Sequence, residues 1–600
     1  MYPGMGSFRK AKWGRMAAIR RVTISRFRGF DSFEAVFREH VVLVGEPGSG
    51  RSDLIEAIAR VLDPDTVRSR RGSELDFFDL DTSNDVRVEL VVGDLAAPAL
   101  AALTRNIDLW DRSDDVLIGS LPLGQVRDPS RHEIVIRLGY RLWVEDDDIH
   151  ELIYWPKFAD EAAGIYPPVR QADRAQVPFL LQRGLGTRPL DLTPRGDFRS
   201  VVARQTTAAG FSAAVKTFLV AVEAGSAAFT SDPAVSAALE DVLREVRQAR
   251  RLDEFKPATD LLAFLPDGGS EPGLLRTLAA AATLDGAPAN LPTSRHGASM
   301  LASLRGGLLA AIASRTQGTV VVVDDFGGEV DPFLARHLVA RLRSLSGQLI
   351  VSTRTAAVAD AFAPSEVLRL HGCGSHRAAS AGNTPRTKPQ RLAARYWARY
   401  LLPALHASSV VIVEGHTDRL GFGALADRAL HLRLLGSFDA AGIAIIEAGT
   451  NNQAPRLAEV AKELGLFSIV LLDNEAGQPL ADDEIAQDAI KASDCLIRLP
   501  AGMSIEQALV DGVPDTELVR VFRELDTAVG GLTLRAGWDA RTGDNLHRYL
   551  ANLMHKRTGS IHEIYIDALD DAHLPKTALR ALTEALRIGK ARTATAPVEL

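Results

Sequence analysis

Six hundred residues far exceed the roughly 250–300 at which one hydrophobic core stops growing, so two to four domains of about 150 residues are expected. Hydrophobic residues make up 46% and charged residues 24%, an ordinary globular balance that excludes disorder along the whole chain. The net charge of −7 does not announce a nucleic-acid binder, and it does not exclude one, because charge averaged over several domains says little about one cleft.

Residues 1–18 read as a leader. They carry Arg9, Lys10, Lys12 and Arg15 but no apolar stretch of the kind a signal peptide needs. Arg21–Phe27 then alternates into a strand, and a second apolar run, Val41-Val42-Leu43-Val44, ends at a glycine cluster. Leu54, Ile55, Ile58, Val61 and Leu62 share one helical face over Ser52–Leu62, which Asp63-Pro64 stops. From Val86 to Pro156 the pattern becomes strand-like, most clearly at Val86–Leu90 and Glu133–Leu138. Residues 205–285 are Ala/Leu-rich with helical spacing and few strand formers, and read as a helical insertion suited to self-association. Strands return at Thr319–Val323 and Gln348–Ser352, each after a helix, in a βαβ rhythm.

The segment His371–Arg391 is rich in Gly, Ser, Pro and basic residues without an apolar period, and reads as a linker. Beyond it Val410–Val413, Ile443–Ile446, Ser468–Leu472 and Cys495–Leu499 are short apolar strands separated by helical stretches. The expected layout is α/β throughout: a nucleotide-binding domain over 19–370 containing the 205–285 insertion, a linker over 371–391, and a second α/β domain over 392–600 with a helical C-terminal extension. Arginines and glycines break the Ala/Leu-rich Met300–Ala313, and no run reaches the ~20 apolar residues of a membrane span. Two cysteines, Cys373 and Cys495, supply neither a disulfide framework nor a cysteine-rich zinc site. A soluble protein of the cytoplasm, with no membrane partner, is expected.

Two groups of residues carry chemistry. The first is Gly45-Glu46-Pro47-Gly48-Ser49-Gly50-Arg51-Ser52, the frame of a phosphate loop with arginine at the lysine position. Gly45, Gly48 and Gly50 let backbone N–H groups turn toward phosphates, and the helix that follows offers its positive end. Ser52 would hold Mg²⁺ through its hydroxyl. Val320–Val323 then runs into Asp324, placed to support the Mg²⁺ shell, and Asp325, placed to orient or deprotonate the attacking water.

These segments resemble the ABC-type ATPase heads of the SMC/RecF-like group. Val22–Gly29 matches their opening strand, Ser294–Ser299 the signature segment, Val330-Asp331-Pro332 the D-loop and Ser352-Thr353-Arg354 the switch. The departures are Arg51 for the phosphate lysine, Asp325 for the catalytic glutamate and Arg354 for the switch histidine. Arginine is bulkier and forked, and aspartate reaches one methylene less far, so the resemblance implies ATP binding with slow or absent hydrolysis.

The second group lies past the linker. Val410–Val413 leads into Glu414-Gly415, with Asp418 four residues beyond Glu414, and Ile469–Leu472 leads into Asp473-Asn474-Glu475. Neighbouring parallel strands would bring Glu414 and Asp473 together at their carboxyl ends, where α/β folds place ligands. Convergent carboxylates repel unless cations sit between them, and hard oxygen ligands select Mg²⁺ or Mn²⁺. Glu506, in Ser504–Leu509, is placed to complete a second metal site, with a solvated helix-face glutamate as the plain alternative. Lys556, in His555–Gly559, is placed to neutralise a phosphate, with an ordinary surface lysine as its alternative.

This layout resembles a Toprim domain, with Asp-x-Glu here in place of the Asp-x-Asp of the family pattern. Head, linker and Toprim in that order resemble the OLD family of nucleases, which includes the Gabija nuclease subunit. The resemblance implies metal-dependent DNA cleavage, often in antiviral defence. In it Glu414, Asp473 and Glu475 hold one metal, Asp418 and Glu506 help to hold another, and Lys556 offsets charge on the phosphate. It also implies a homodimer or higher homo-oligomer, with a helicase partner left open. A reading of a different class stands beside it: a nucleotide-dependent DNA-binding or clamp protein whose Toprim carboxylates do no cutting. Primase and topoisomerase are weaker rivals, since there are no zinc-ribbon cysteines and no tyrosine in a nucleophile context.

Overall fold

The computed structural model describes residues 17–64, 66, 71–119, 127–183, 232–249, 261–265, 279–283, 291–315, 318–372, 378–381, 400–527, 532, 534–555 and 561–600. Most of the leader, much of 205–285, most of the linker, Cys373 and Lys556 therefore lie outside the described residues. Internal contacts divide the chain into two units. The first comprises 1–44, 50–367 and 372–378, and the second comprises 45–49, 368–371 and 379–600.

The first unit holds two sheets that position its site. One is antiparallel, with strands in the order Phe30–Val36, Ala18–Phe27, Val86–Gly93, His132–Glu145, Ile107–Asp111 and Val116–Gly119, and with Asp148–Tyr154 paired to His132–Glu145. The other has a parallel run of Val41–Gly45, Gln348–Ser352, Val320–Asp324 and Phe179–Arg183, in register Val42↔Val351, Val320↔Gln348 and Val320↔Phe179. Strands covered on both faces read as continuous Val/Ile/Leu runs, and Val320–Val323 and Gln348–Ser352 are buried at every position. Helix Arg51–Leu62 buries Leu54, Ile55, Ile58, Val61 and Leu62. Helix Ala298–Arg315 is buried continuously from Met300 to Ala313, which accounts for its apolar character on every side.

Some elements depart from the sequence reading. Within 205–285 the structure has the helix Pro233–Ala249, but also the antiparallel strands Leu262–Leu265 and Ala279–Ala282, with Leu262 opposite Ala282. Four alanines favour a helix by propensity, and pairing with a distant strand overrides that preference. Ala378–Ala381, inside the expected linker, is likewise a strand, hydrogen-bonded to Val367–His371.

The second unit is built on five parallel strands in the order Ile443–Glu447, Ser409–Val413, Phe467–Leu472, Cys495–Arg498 and Val598–Glu599. Its core joins Val411, Val413, Ile469, Leu471 and Ile497 of the sheet to Phe422, Leu509, Phe522, Leu550, Tyr565 and Leu582 of the surrounding helices. After the helices of the C-terminal extension, Val598–Glu599 is a strand paired in parallel with Cys495–Arg498, and the buried Arg498 pairs with Asp483 at 2.7 Å and Glu599 at 3.3 Å. Among the described residues no helix is long and apolar enough to cross a membrane.

Candidate functional sites

Strand Val41–Gly45 leads along the chain through the glycine loop into helix Arg51–Leu62. Gly45, Gly48 and Gly50 take φ values of 141°, 78° and 94°, a region costly for residues with a Cβ and the one the turning backbone requires. Gly50 caps the helix and has no side chain to bond its first N–H groups, and a helix N-terminus favours an anion.

Ser52 Oγ donates to Asp324 Oδ1 at 3.1 Å, and Ser352 Oγ donates to the same oxygen at 2.6 Å. Ser52 and Asp324 thus meet, and their hydroxyl and carboxylate oxygens are hard donors of the kind Mg²⁺ takes. Arg51 donates to the Thr353 carbonyl at 2.5 Å, and burial lowers its pKa, with Asp325 opposing.

Asp325 has a different situation from the one expected of a base. Arg354 donates to its two carboxylate oxygens, each at 2.7 Å, while Ser352 Oγ accepts from the Asp325 N–H at 2.7 Å. Two of the three departures from the ATPase pattern therefore face each other as a bidentate pair, and both oxygens of Asp325 are engaged. Asp331 caps helix Pro332–Leu345, accepting from Phe333 N and Leu334 N at 3.0 Å.

In the second unit the parallel register Ile412↔Val470 carries neighbouring strands to Glu414 and Asp473, each one residue past its strand's last member. The loop after the second strand is fixed by Asn474 N donating to Met503 O at 3.0 Å and Gly502 N donating to Asn474 O at 2.8 Å. This cross-link holds Asp473-Asn474-Glu475 against the approach to helix Ile505–Val510. That helix has a capping box, with Ser504 Oγ accepting from Gln507 N and Gln507 Oε1 accepting from Ser504 N.

Glu506 and Asp418 are only 6% and 7% exposed. Burial raises the Asp418 pKa to about 6, and the neighbouring Glu506 raises it further against a hydrogen bond from Gly415. Neither carboxylate forms an ion pair with lysine or arginine among the described residues; the only partner of that kind is His555, whose Nδ1 lies 3.1 Å from Glu506 Oε1. Two buried acids without a fixed cation are a donor set that suits a hard divalent ion.

The expected gathering of all the carboxylates is looser than the sequence suggested. Among the described residues no three His, Cys, Asp or Glu side chains stand close enough together to hold a metal ion. The reasons are local. Asp418 Oδ2 accepts from Gly415 N at 2.6 Å, Glu506 is bonded to Ser504 and His555, and Glu475 is exposed. Like charges left near one another turn to such partners.

Two residues carry signals that the sequence reading passed over. Glu447 also ends a strand beside Val413, and it binds His416 Nδ1 at 2.8 Å and Arg419 Nε at 3.2 Å. These bonds lower its pKa although burial opposes them. An acid directly after an apolar strand was the signal that could have found it. His555 precedes Lys556 in the sequence, but only the structure brings it to Glu506.

Residues 405–474 match the family model for the Toprim domain of overcoming-lysogenization-defect-like proteins. The chain therefore combines a phosphate-loop α/β unit with a Toprim unit. The latter is of the OLD-like kind. No curated protein matches the sequence. Solved structures similar to the chain include an SMC head bound to the C-terminal winged-helix domain of ScpA (11% identity, 60% of this chain and 97% of that one, TM-score 0.33). A second is an SMC head with extended coiled coil, bound to the C-terminal domain of ScpA derived from Pyrococcus furiosus (11%, 61% and 96%, TM-score 0.36). A third is the SMC head of Thermotoga maritima (13%, 61% and 99%, TM-score 0.30). Scores of this size identify nothing further.

Proposed function

We propose that the protein is a metal-dependent DNA endonuclease whose Toprim unit hydrolyses phosphodiesters and whose phosphate-loop unit binds Mg²⁺–ATP and regulates cutting. The observation that carries this reading is the adjacency of Glu414 and Asp473 at parallel strand tips, together with the buried Asp418 and Glu506, which have no lysine or arginine partner among the described residues. Glu414, Asp473 and Glu475 would bind one Mg²⁺ or Mn²⁺, and Asp418 and Glu506 would help to bind a second. Ions held there supply an activated water and neutralise charge on the scissile phosphate. Asn474 and Ser504 orient the loops that bear the acids. Lys556 is assigned to the phosphate from its place in the motif. Heads paired in a homodimer or larger assembly would sense nucleotide, and such a nuclease would serve antiviral defence or DNA processing, with a helicase as a candidate partner.

Incubation of the protein with supercoiled plasmid and Mg²⁺ or Mn²⁺ tests this. Nicking by the parent and none by Glu414→Ala is expected. Absence of nicking with either metal, across nucleotide states, refutes the nuclease reading. One arrangement favours the non-cleaving DNA clamp instead: the acids are not closed into a cage among the described residues. DNA retention without cutting would establish that alternative.

The Arg354–Asp325 pair supports slow turnover in the head, since an engaged carboxylate is a poor acceptor for a water proton.

A further inference from the structure

We infer that Arg592, which follows helix Lys576–Ala591, is a positioning residue for the nucleotide: it holds Glu46 of the phosphate loop and offsets its charge where phosphates are to bind. The inference rests on the ATP-binding reading above and deepens it, by making nucleotide affinity depend on the Toprim unit.

The phosphate loop carries an acid at its second position, Glu46. Such loops bind phosphate through inward N–H groups and a positive helix end, and a carboxylate among them opposes the anion. Glu46 O accepts from Ser49 N at 3.2 Å. With Pro47 and the left-handed Gly48 (φ 78°) between them, this is the pattern of a type II turn. The residue that opens the turn is therefore the acid, and the tie on its side chain sets where the turn stands.

Residues 45–49 belong to the second unit, and from Gly50 the chain belongs to the first. Glu46 is only 8% exposed. Arg592 Nη2 lies 3.0 Å from Glu46 Oε2, Arg592 Nη1 donates to Oε1 at 3.4 Å, and Ser408 Oγ donates to Oε2. Gly45 is fixed as well. Its carbonyl lies 3.1 Å from His406 Nδ1, and a Cβ on it would stand 2.0 Å from Leu370 O.

The arginine occupies a costly place. At φ 49° and ψ 37° it closes helix Lys576–Ala591, its N–H donating to Ile588 O at 2.9 Å, in a left-handed cap that glycine fills more easily. Ile588 is fully buried, and a Cβ on Gly589 would lie 2.7 Å from Ile443 Cδ1, so the end of the helix is seated on the sheet. Backbone strain persists where the surroundings hold it and the side chain is used. Ser408 leads directly into strand Ser409–Val413, past whose end Glu414 stands. Both groups that hold Glu46 thus belong to the Toprim sheet or to the helix packed on it. A partly exposed ion pair that served stability alone would be worth little, and nucleotide would be indifferent to it.

The test is the ATP affinity of the full chain in Mg²⁺, read by calorimetry, in a double-mutant cycle of Glu46→Gln and Arg592→Gln. Glutamine at position 592 keeps the left-handed backbone cost, so the charge and its reach are what change. Expected is ATP binding weakened about fivefold or more by Arg592→Gln. Glu46→Gln alone should bind at least as tightly as the parent, and adding Arg592→Gln to it should cost less than about twofold. Recovery of binding in the double variant also shows that the Arg592→Gln chain folds. Arg592→Gln binding ATP as the parent does, or losing as much affinity with glutamine at position 46 as with glutamate, overturns the role of Arg592 and leaves ATP binding standing. No ATP bound by the parent overturns both.

Discussion

Asp418→Asn isolates the electrostatic cost of the Toprim carboxylates. The Asp418 carboxyl is 7% exposed and its pKa stands at about 6, against an ordinary 3.8. In the folded chain it holds its proton up to about pH 6, and in the unfolded chain only to the ordinary value. Between those limits the folded state binds more protons, so stability falls as pH rises through that window, and the full cost stands above it. At 1.36 kcal/mol per pKa unit, a shift of about two units amounts to about 3 kcal/mol. Asparagine keeps the acceptor for Gly415 N and carries no charge. The unfolding transition of the second unit in EDTA at pH 7.5 should therefore lie on the order of 5–10 °C higher in Asp418→Asn than in the parent. The difference should vanish near pH 4, and added Mn²⁺ should stabilise the parent but not the variant. An asparagine variant no more stable than the parent at pH 7.5 in EDTA refutes the reasoning.

Three further outcomes follow from the geometry. Asp324→Asn should weaken Mg²⁺-dependent ATP binding at least about tenfold and leave binding in EDTA unchanged, as read by calorimetry, since it removes the charge that Ser52 and Ser352 orient. Arg354→Ala should raise single-turnover ATP hydrolysis above the parent by freeing Asp325, and adding Asp325→Asn should abolish that gain; a rate unchanged or lowered by Arg354→Ala contradicts the engaged-base account. Arg498→Ala removes the cation between Asp483 and Glu599 and should cost about 1.5–3 kcal/mol in denaturant unfolding of the second unit.

What the sequence made legible follows from burial. Val320–Asp324, Gln348–Ser352, Ser409–Val413 and Phe467–Leu472 are covered on both faces, so each reads as a short unbroken apolar run, and the chemistry stands where the run ends. Ser52 and Asp324, 272 positions apart, could be paired in advance because each ends or follows such a run. Elements held by distant partners left no periodic trace. Ala279–Ala282 is a strand paired between Leu262–Leu265 and Leu291–Pro292, and Val598–Glu599 one paired with Cys495–Arg498. The Arg354–Asp325 pair was visible as two separate departures but not as one contact. His555 was hidden for the same reason, since its partner Glu506 comes from another helix.

Diffraction from crystals grown with Mn²⁺, collected at an energy where manganese scatters anomalously, tests the central claim most directly. The account predicts anomalous peaks between the strand tips that bear Glu414 and Asp473 and beside Asp418 and Glu506. Crystals saturated with Mn²⁺ that show no peak among these side chains would contradict it.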